Sequence, residues 1–90
     1  MATIRIPVPL RKLVGGSEEI KTFGRDVNEC LDLLCLSYPE MKDRIFDQEG
    51  LVRRFINIFK NDEDIRFLEQ GETTIQETDV ISIVPAIAGG

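Results

Sequence analysis

Asp26-Val27-Asn28-Glu29-Cys30-Leu31-Asp32-Leu33-Leu34-Cys35-Leu36-Ser37-Tyr38-Pro39 carries a helix signature at both ends, and its reading decides the fold. Asp26 is suited to cap the first turn, and Glu29, three residues on, completes an Asp-x-x-Glu form of the capping box. Pro39 disfavours helical geometry at Tyr38, so the helix ends there. Val27, Cys30, Leu31, Leu34 and Tyr38 share one face at 3.6-residue spacing. A helix of about 12 residues is marginal alone in water. Burying five apolar side chains is worth at most roughly 8–15 kcal/mol. The helix therefore implies a sheet to lie across.

Working outward, the N-terminal side supplies strands. Ile4, Ile6, Val8 and Leu10 alternate with Thr3, Arg5, Pro7 and Pro9, the period of a half-buried strand. The two outward prolines suggest an edge position or fading pairing. Val14-Gly15-Gly16-Ser17 is a turn, and Glu18 to Phe23 resumes the alternation with Ile20 and Phe23 inward. The pair reads as an opening hairpin.

On the C-terminal side, Pro39 to Ile45 reads as a second helical turn that returns Met41 and Ile45 to the core, with Pro39 in its first position. Asp47 to Gly50 is loop. Arg53 to Lys60 is β-prone on both faces, with Ile56 and Ile58 as the inward pair. Asn61 to Asp64 turns tightly, Ile65 to Phe67 makes a short strand, and Gln70-Gly71 turns again. Asp79 to Pro85 is the last strand, Ile81 and Ile83 alternating against Val80, Ser82 and Val84. Hairpin, crossing helix, then further strands give an α+β fold in the β-grasp (ubiquitin-like) order. A mixed sheet of four to five strands with one main helix is expected, as a single domain over residues 1–90.

Composition narrows the function classes. A net charge of −5 argues against nucleic acid and against an anionic membrane surface. No apolar run is long enough to span a bilayer and no leader opens the sequence, so cytoplasmic residence is expected. Two cysteines and no histidine leave too few ligands for a Cys/His zinc site. The acidic Asn61–Asp64 turn lacks the spaced ligands and glycine of a calcium loop. No nucleophile–base pair or phosphate-cradling loop is apparent, so the chain is not expected to be an enzyme.

The remaining feature is Ala86-Ile87-Ala88-Gly89-Gly90. Two residues without side chains form a thin tip that can enter a narrow channel. Pro85 donates no hydrogen bond, so sheet pairing should weaken there and release the tail.

Residues Phe55 to Phe67, with the Asn61-Asp62 turn, and Asp79 to Gly90, with Pro85 and the diglycine, resemble the MoaD/ThiS family of ubiquitin-like sulfur carriers. The likeness spans the chain in length and element order, and the Pro85-Ala86-Ile87-Ala88-Gly89-Gly90 ending is most similar to the CysO type. Molybdopterin-synthase small subunits typically carry two prolines before the tip, where this chain has Pro85 and Ala86. The resemblance implies that Gly90 is adenylated by an ATP-dependent E1-like activating enzyme and converted to a thiocarboxylate. It implies a sulfur-acceptor enzyme of the pyridoxal-phosphate-dependent cysteine synthase type, or alternatively the molybdopterin synthase large subunit. Conjugation of Gly90 to lysines, as in a ubiquitin-like protein modifier, is the other alternative. The chain itself then binds no cofactor. Ile87, Ala88 and Gly89, with Ala86, would enter the partner's active site, Ile87 as the anchor. Val84 and Pro85 are the candidate docking surface, and a monomer meeting partners transiently is expected.

Overall fold

A computed structural model describes residues 1–86 of the chain. Five strands form one mixed sheet: β1 (Ala2–Arg5), β2 (Glu19–Thr22), β3 (Ile56–Lys60), β4 (Glu63–Asp64) and β5 (Val80–Pro85), in the order β2-β1-β5-β3-β4. β1 runs antiparallel to β2 and parallel to β5, and β3 runs antiparallel to both β5 and β4. One face of the sheet is covered by α1 (Val27–Ser37), followed by the short α2 (Glu40–Ile45). The opening hairpin and the crossing helix are as the sequence implies.

The helix signature is realised with one shift. Asp26 Oδ1 accepts the Glu29 N–H at 2.8 Å, but Glu29 Oε1 accepts from the Arg25 N–H at 2.9 Å rather than from Asp26. Capping by Asp26 satisfies one of the orphan donors of the first turn. A neighbouring loop reinforces this end, since the Val27 N–H bonds to Thr73 O and the Ile75 N–H to Arg25 O. Val27, Cys30, Leu31 and Leu34 are buried and Tyr38 is half-buried, as the 3.6-residue spacing requires. Met41 and Ile45 of α2 complete that layer against Ile4, Ile58, Ile81 and Ile83.

Four local expectations are corrected. The first strand ends at Arg5, and Val8–Val14 is a 3-10 helix with Pro7 as its cap. Pro7 and Pro9 have no N–H to give a ladder, whereas the first turn of a helix needs none. Ile6 and Leu10 stay buried, but Val8 is 70% exposed. Nor is β1 an edge, because the prolines fall beyond its end and it lies between β2 and β5. Phe23 is exposed; the two-residue period of β2 puts Ile20 and buried Thr22 inward instead. Ile65–Phe67 is a 3-10 turn, not a strand, since the Asp64 carboxylate accepts the Arg66 N–H at 2.9 Å and bends the chain locally. The pairing partner of β3 is Glu63–Asp64.

The turn before β4 is tight. Asn61 takes a left-handed φ of 55°, a region asparagine tolerates better than most residues. Both cysteines are free, Cys30 buried and Cys35 half-buried.

Candidate functional site: the end of the central strand

β5 sits in the middle of the sheet, and its last residues form the root of the C-terminal segment. At its start, Asn61 clamps the strand: Asn61 Oδ1 accepts the Val80 N–H at 3.0 Å and the Asn61 N–H bonds to Val80 O at 2.7 Å. Asn61 Nδ2 also donates to Asp79 Oδ1 at 3.1 Å. Asp79 Oδ2 accepts the Gln76 N–H at 2.8 Å and lies 3.7 Å from Lys60 Nζ. Burial alone would raise the Asp79 pKa; the Gln76 and Asn61 hydrogen bonds and the Lys60 charge outweigh it and hold the carboxyl below its ordinary range.

At its far end, Val84 is opposite Asn57 and Pro85 is opposite Ile56. Pairing does not weaken at Pro85 as the sequence suggests: the Ala86 N–H donates to Phe55 O at 2.7 Å. The reason is the alternation of an antiparallel ladder. With Ala86 and Phe55 bonded, the missing N–H of Pro85 faces away from β3, towards β1. β1 has ended by then, its last paired residue being Arg5 beside Ser82. Proline therefore removes no rung at this position.

Val84 is 42% exposed and Phe55 54% exposed, so an apolar pair flanks the strand's exit. Pro85 is half-buried and Ala86 exposed. Beside Val84, Asn57 Oδ1 accepts from an Arg66 terminal nitrogen at 2.8 Å, and Arg66 holds Asp64 Oδ2 at 2.7 Å. The Arg66 hydrogen bond keeps the Asp64 carboxyl below its usual range. Phe55, Asn57 and Arg66 were not singled out as site residues from the sequence. Their signal was the strand period, which puts Phe55 and Asn57 on the face opposite Ile56 and Ile58. Of the candidate site residues, Val84 and Pro85 thus close β5 and Ala86 follows directly; Ile87, Ala88, Gly89 and Gly90 lie outside the described residues.

A cavity of about 620 Å³ adjoins this exit through Ile56. Apolar Val27, Leu31 and Ile58 form its floor, and Arg53, Arg54 and Glu69 stand among its polar residues. Neither cysteine lines it. Burial pushes both thiols up, which leaves them protonated and poorly nucleophilic near neutral pH. Among the described residues no cluster of three or more His, Cys, Asp or Glu could hold a metal, and no helix is long and apolar enough to cross a membrane. What the described arrangement presents is a held strand end.

Comparison with known proteins agrees with that arrangement. Residues 4–90 match the ThiS family. The sulfur carrier protein CysO of Mycobacterium tuberculosis is 36% identical over 98% of this chain and 97% of its own length. In the crystal structure of the Amycolatopsis orientalis BexX/CysO complex, a chain 36% identical superposes with a TM-score of 0.91, covering 100% of each. The small archaeal modifier protein 1 of Methanosarcina acetivorans is 30% identical with a TM-score of 0.88, over 99% of this chain and 95% of that one. A mixed five-stranded sheet crossed by one main helix, with this match along nearly its whole length, makes the chain a member of the ThiS family with a ubiquitin-like β-grasp fold.

Proposed function

We propose that this protein is a sulfur carrier whose Gly90 carboxylate is activated and exchanged for a thiocarboxylate. The observation that carries the reading is that the family match runs to residue 90 on a chain whose central strand ends at Pro85. A carboxylate is a poor electrophile because it is negative and its oxygen leaves badly. An activating enzyme solves this by letting the Gly90 oxygen attack the α-phosphorus of ATP, with loss of pyrophosphate. A sulfur donor then attacks the acyl carbon and AMP departs with its electron pair. The product sulfur is ionised and nucleophilic, and it attacks a bound acceptor in a second enzyme.

The likeness to a sulfur carrier protein, CysO, supports the carrier role, and we take the acceptor to be the pyridoxal-phosphate-dependent cysteine synthase that the resemblance implies. The carrier's own residues have a mechanical role. The Ala86 bond to Phe55 fixes where the segment starts. Four residues follow Ala86, and an extended run of that length spans at most about 14 Å. Val84 and Phe55, on the sheet face away from α1, offer the apolar surface on which a partner seats the body, whereas Pro85, paired with Ile56, lies on the other face.

Incubation with the cognate activating enzyme, ATP and sulfide should shift the intact mass by one oxygen-to-sulfur exchange, localised to Gly90. Failure to form that species with an active partner enzyme overturns the reading.

The likeness to an archaeal modifier protein supports a second use of the same adenylate, transfer to lysine amines of other proteins. Tail remnants on lysines in the host's proteins would establish it.

A further inference from the structure

We propose that β2 is a self-association edge, through which two copies of this chain join their sheets about a two-fold axis at Ile20. The proposal needs no sulfur chemistry and stands apart from the function above.

β2 pairs with β1 on one side only. The Ile6 N–H bond to Glu18 O sets the phase of that ladder. Glu18, Ile20 and Thr22 turn their backbone groups to β1, so those of Glu19 and Lys21 point out from the edge. Among the described residues, these outward groups have no backbone partner. Such an edge is a template for another strand.

The side chains select both the occupant and its register. A two-fold axis through the Ile20 pair puts Glu19 opposite Lys21 of the second copy, and Lys21 opposite its Glu19. These are also the residues whose backbone groups are free, so about four new ladder hydrogen bonds form around a non-bonded Ile20 pair. Moving the axis to Glu19 or to Lys21 sets like charges face to face, which is unfavourable. A one-residue slip sets the core face of one copy against the outer face of the other. Both charged side chains are exposed and Lys21 Nζ is already steadied by Thr3 Oγ1 at 2.7 Å.

Apolar surface accompanies the edge. A cavity of about 220 Å³ between β2 and α1 is lined by Ile20, Phe23, Leu33 and Leu36. Phe23 and Leu36 are each 79% exposed. The two-fold axis brings this groove beside its own copy. The opposite edge differs: β4 consists of Glu63 and Asp64, so self-pairing there sets acid against acid. Charge alternation therefore permits a second copy on β2 and rejects one on β4.

Sedimentation equilibrium on the full chain, with Glu19→Lys and Lys21→Glu variants, tests this. The wild type should dimerise reversibly, and each charge reversal should weaken association by about tenfold. An equimolar mixture of the two variants should restore it, because the lysine edge of one then faces the glutamate edge of the other. In amide exchange, Glu19 and Lys21 should gain protection with concentration while Ile20, already bonded to β1, should not change. A chain that stays monomeric to about 1 mM overturns the proposal, leaving the edge to a strand of another protein. A dimer indifferent to both reversals overturns it equally, since its contact would then lie elsewhere.

Discussion

Ala86 is bonded through its N–H to the carbonyl of Phe55 at 2.7 Å, one residue past a proline that loses no rung by being there. The ladder between β3 and β5 thus reaches its full length only at Ala86. An exposed alanine should then show a slowly exchanging amide, unlike a loop residue of equal exposure. Ala86→Pro removes the donor and should cost about 0.5–1.5 kcal/mol in urea unfolding. An Ala86 amide exchanging at the free-chain rate contradicts this rung.

Asp79 should make stability depend on acid. Its folded pKa is lowered, so its contribution is complete above the ordinary carboxylate range and is lost as the pH falls through the folded value. Asp79→Ala should lower stability by about 1–3 kcal/mol at neutral pH. The gap between variant and wild type should narrow below about pH 4. Denaturant titrations at neutral and acid pH check the sign, and a gap that widens in acid contradicts it.

Two glycines should respond differently to the same methyl group. A Cβ on Gly24 would lie 2.6 Å from the Cys30 backbone nitrogen and 2.8 Å from its Cα, inside the first turns of α1. Backbone in that position cannot yield cheaply, so Gly24→Ala should cost about 1–3 kcal/mol or more. At Gly71 the obstacle is the Asn28 side-chain amide, which can rotate away. Gly71→Ala should therefore lower the thermal midpoint less than Gly24→Ala, as calorimetry would show.

Val84→Asp separates steering from folding. Val84 is exposed on the face away from α1, so the variant should unfold within about 1 kcal/mol of wild type. On the proposed function, it should still impair sulfur loading by the activating enzyme by about tenfold or more, chiefly as a higher KM. Unchanged loading would remove Val84 from the docking surface.

How far the residues reveal this architecture depends on the range of the forces involved. α1 was legible because its cap, its apolar stripe and Pro39 all act within a few residues. Ile56, Ile58, Ile81 and Ile83 were legible because a two-residue period survives any choice of neighbours. The fate of Val8 was not, since alternation continues past the point where Pro7 ends the strand. Ile65 to Phe67 looks extended by composition, yet the Asp64 carboxylate captures the Arg66 N–H first. From the sequence, Pro85 predicts weakened pairing, yet the ladder continues to Ala86. Whether a proline costs a rung depends on which neighbour its nitrogen faces, and that is a property of the sheet order. The same holds for Phe55 and Arg66, brought beside Val84 only by the pairing of β3 with β5.

The placement of β5 between β1 and β3 has a mechanical meaning. A partner that grips the C-terminal end pulls along the axis of a strand bonded on both flanks. Such a load strains those rungs in parallel, as shear, instead of opening them one after another like a zipper. On the proposed function, the domain can thus be towed by its tip, and drawn out of an enzyme after delivery, without being unravelled.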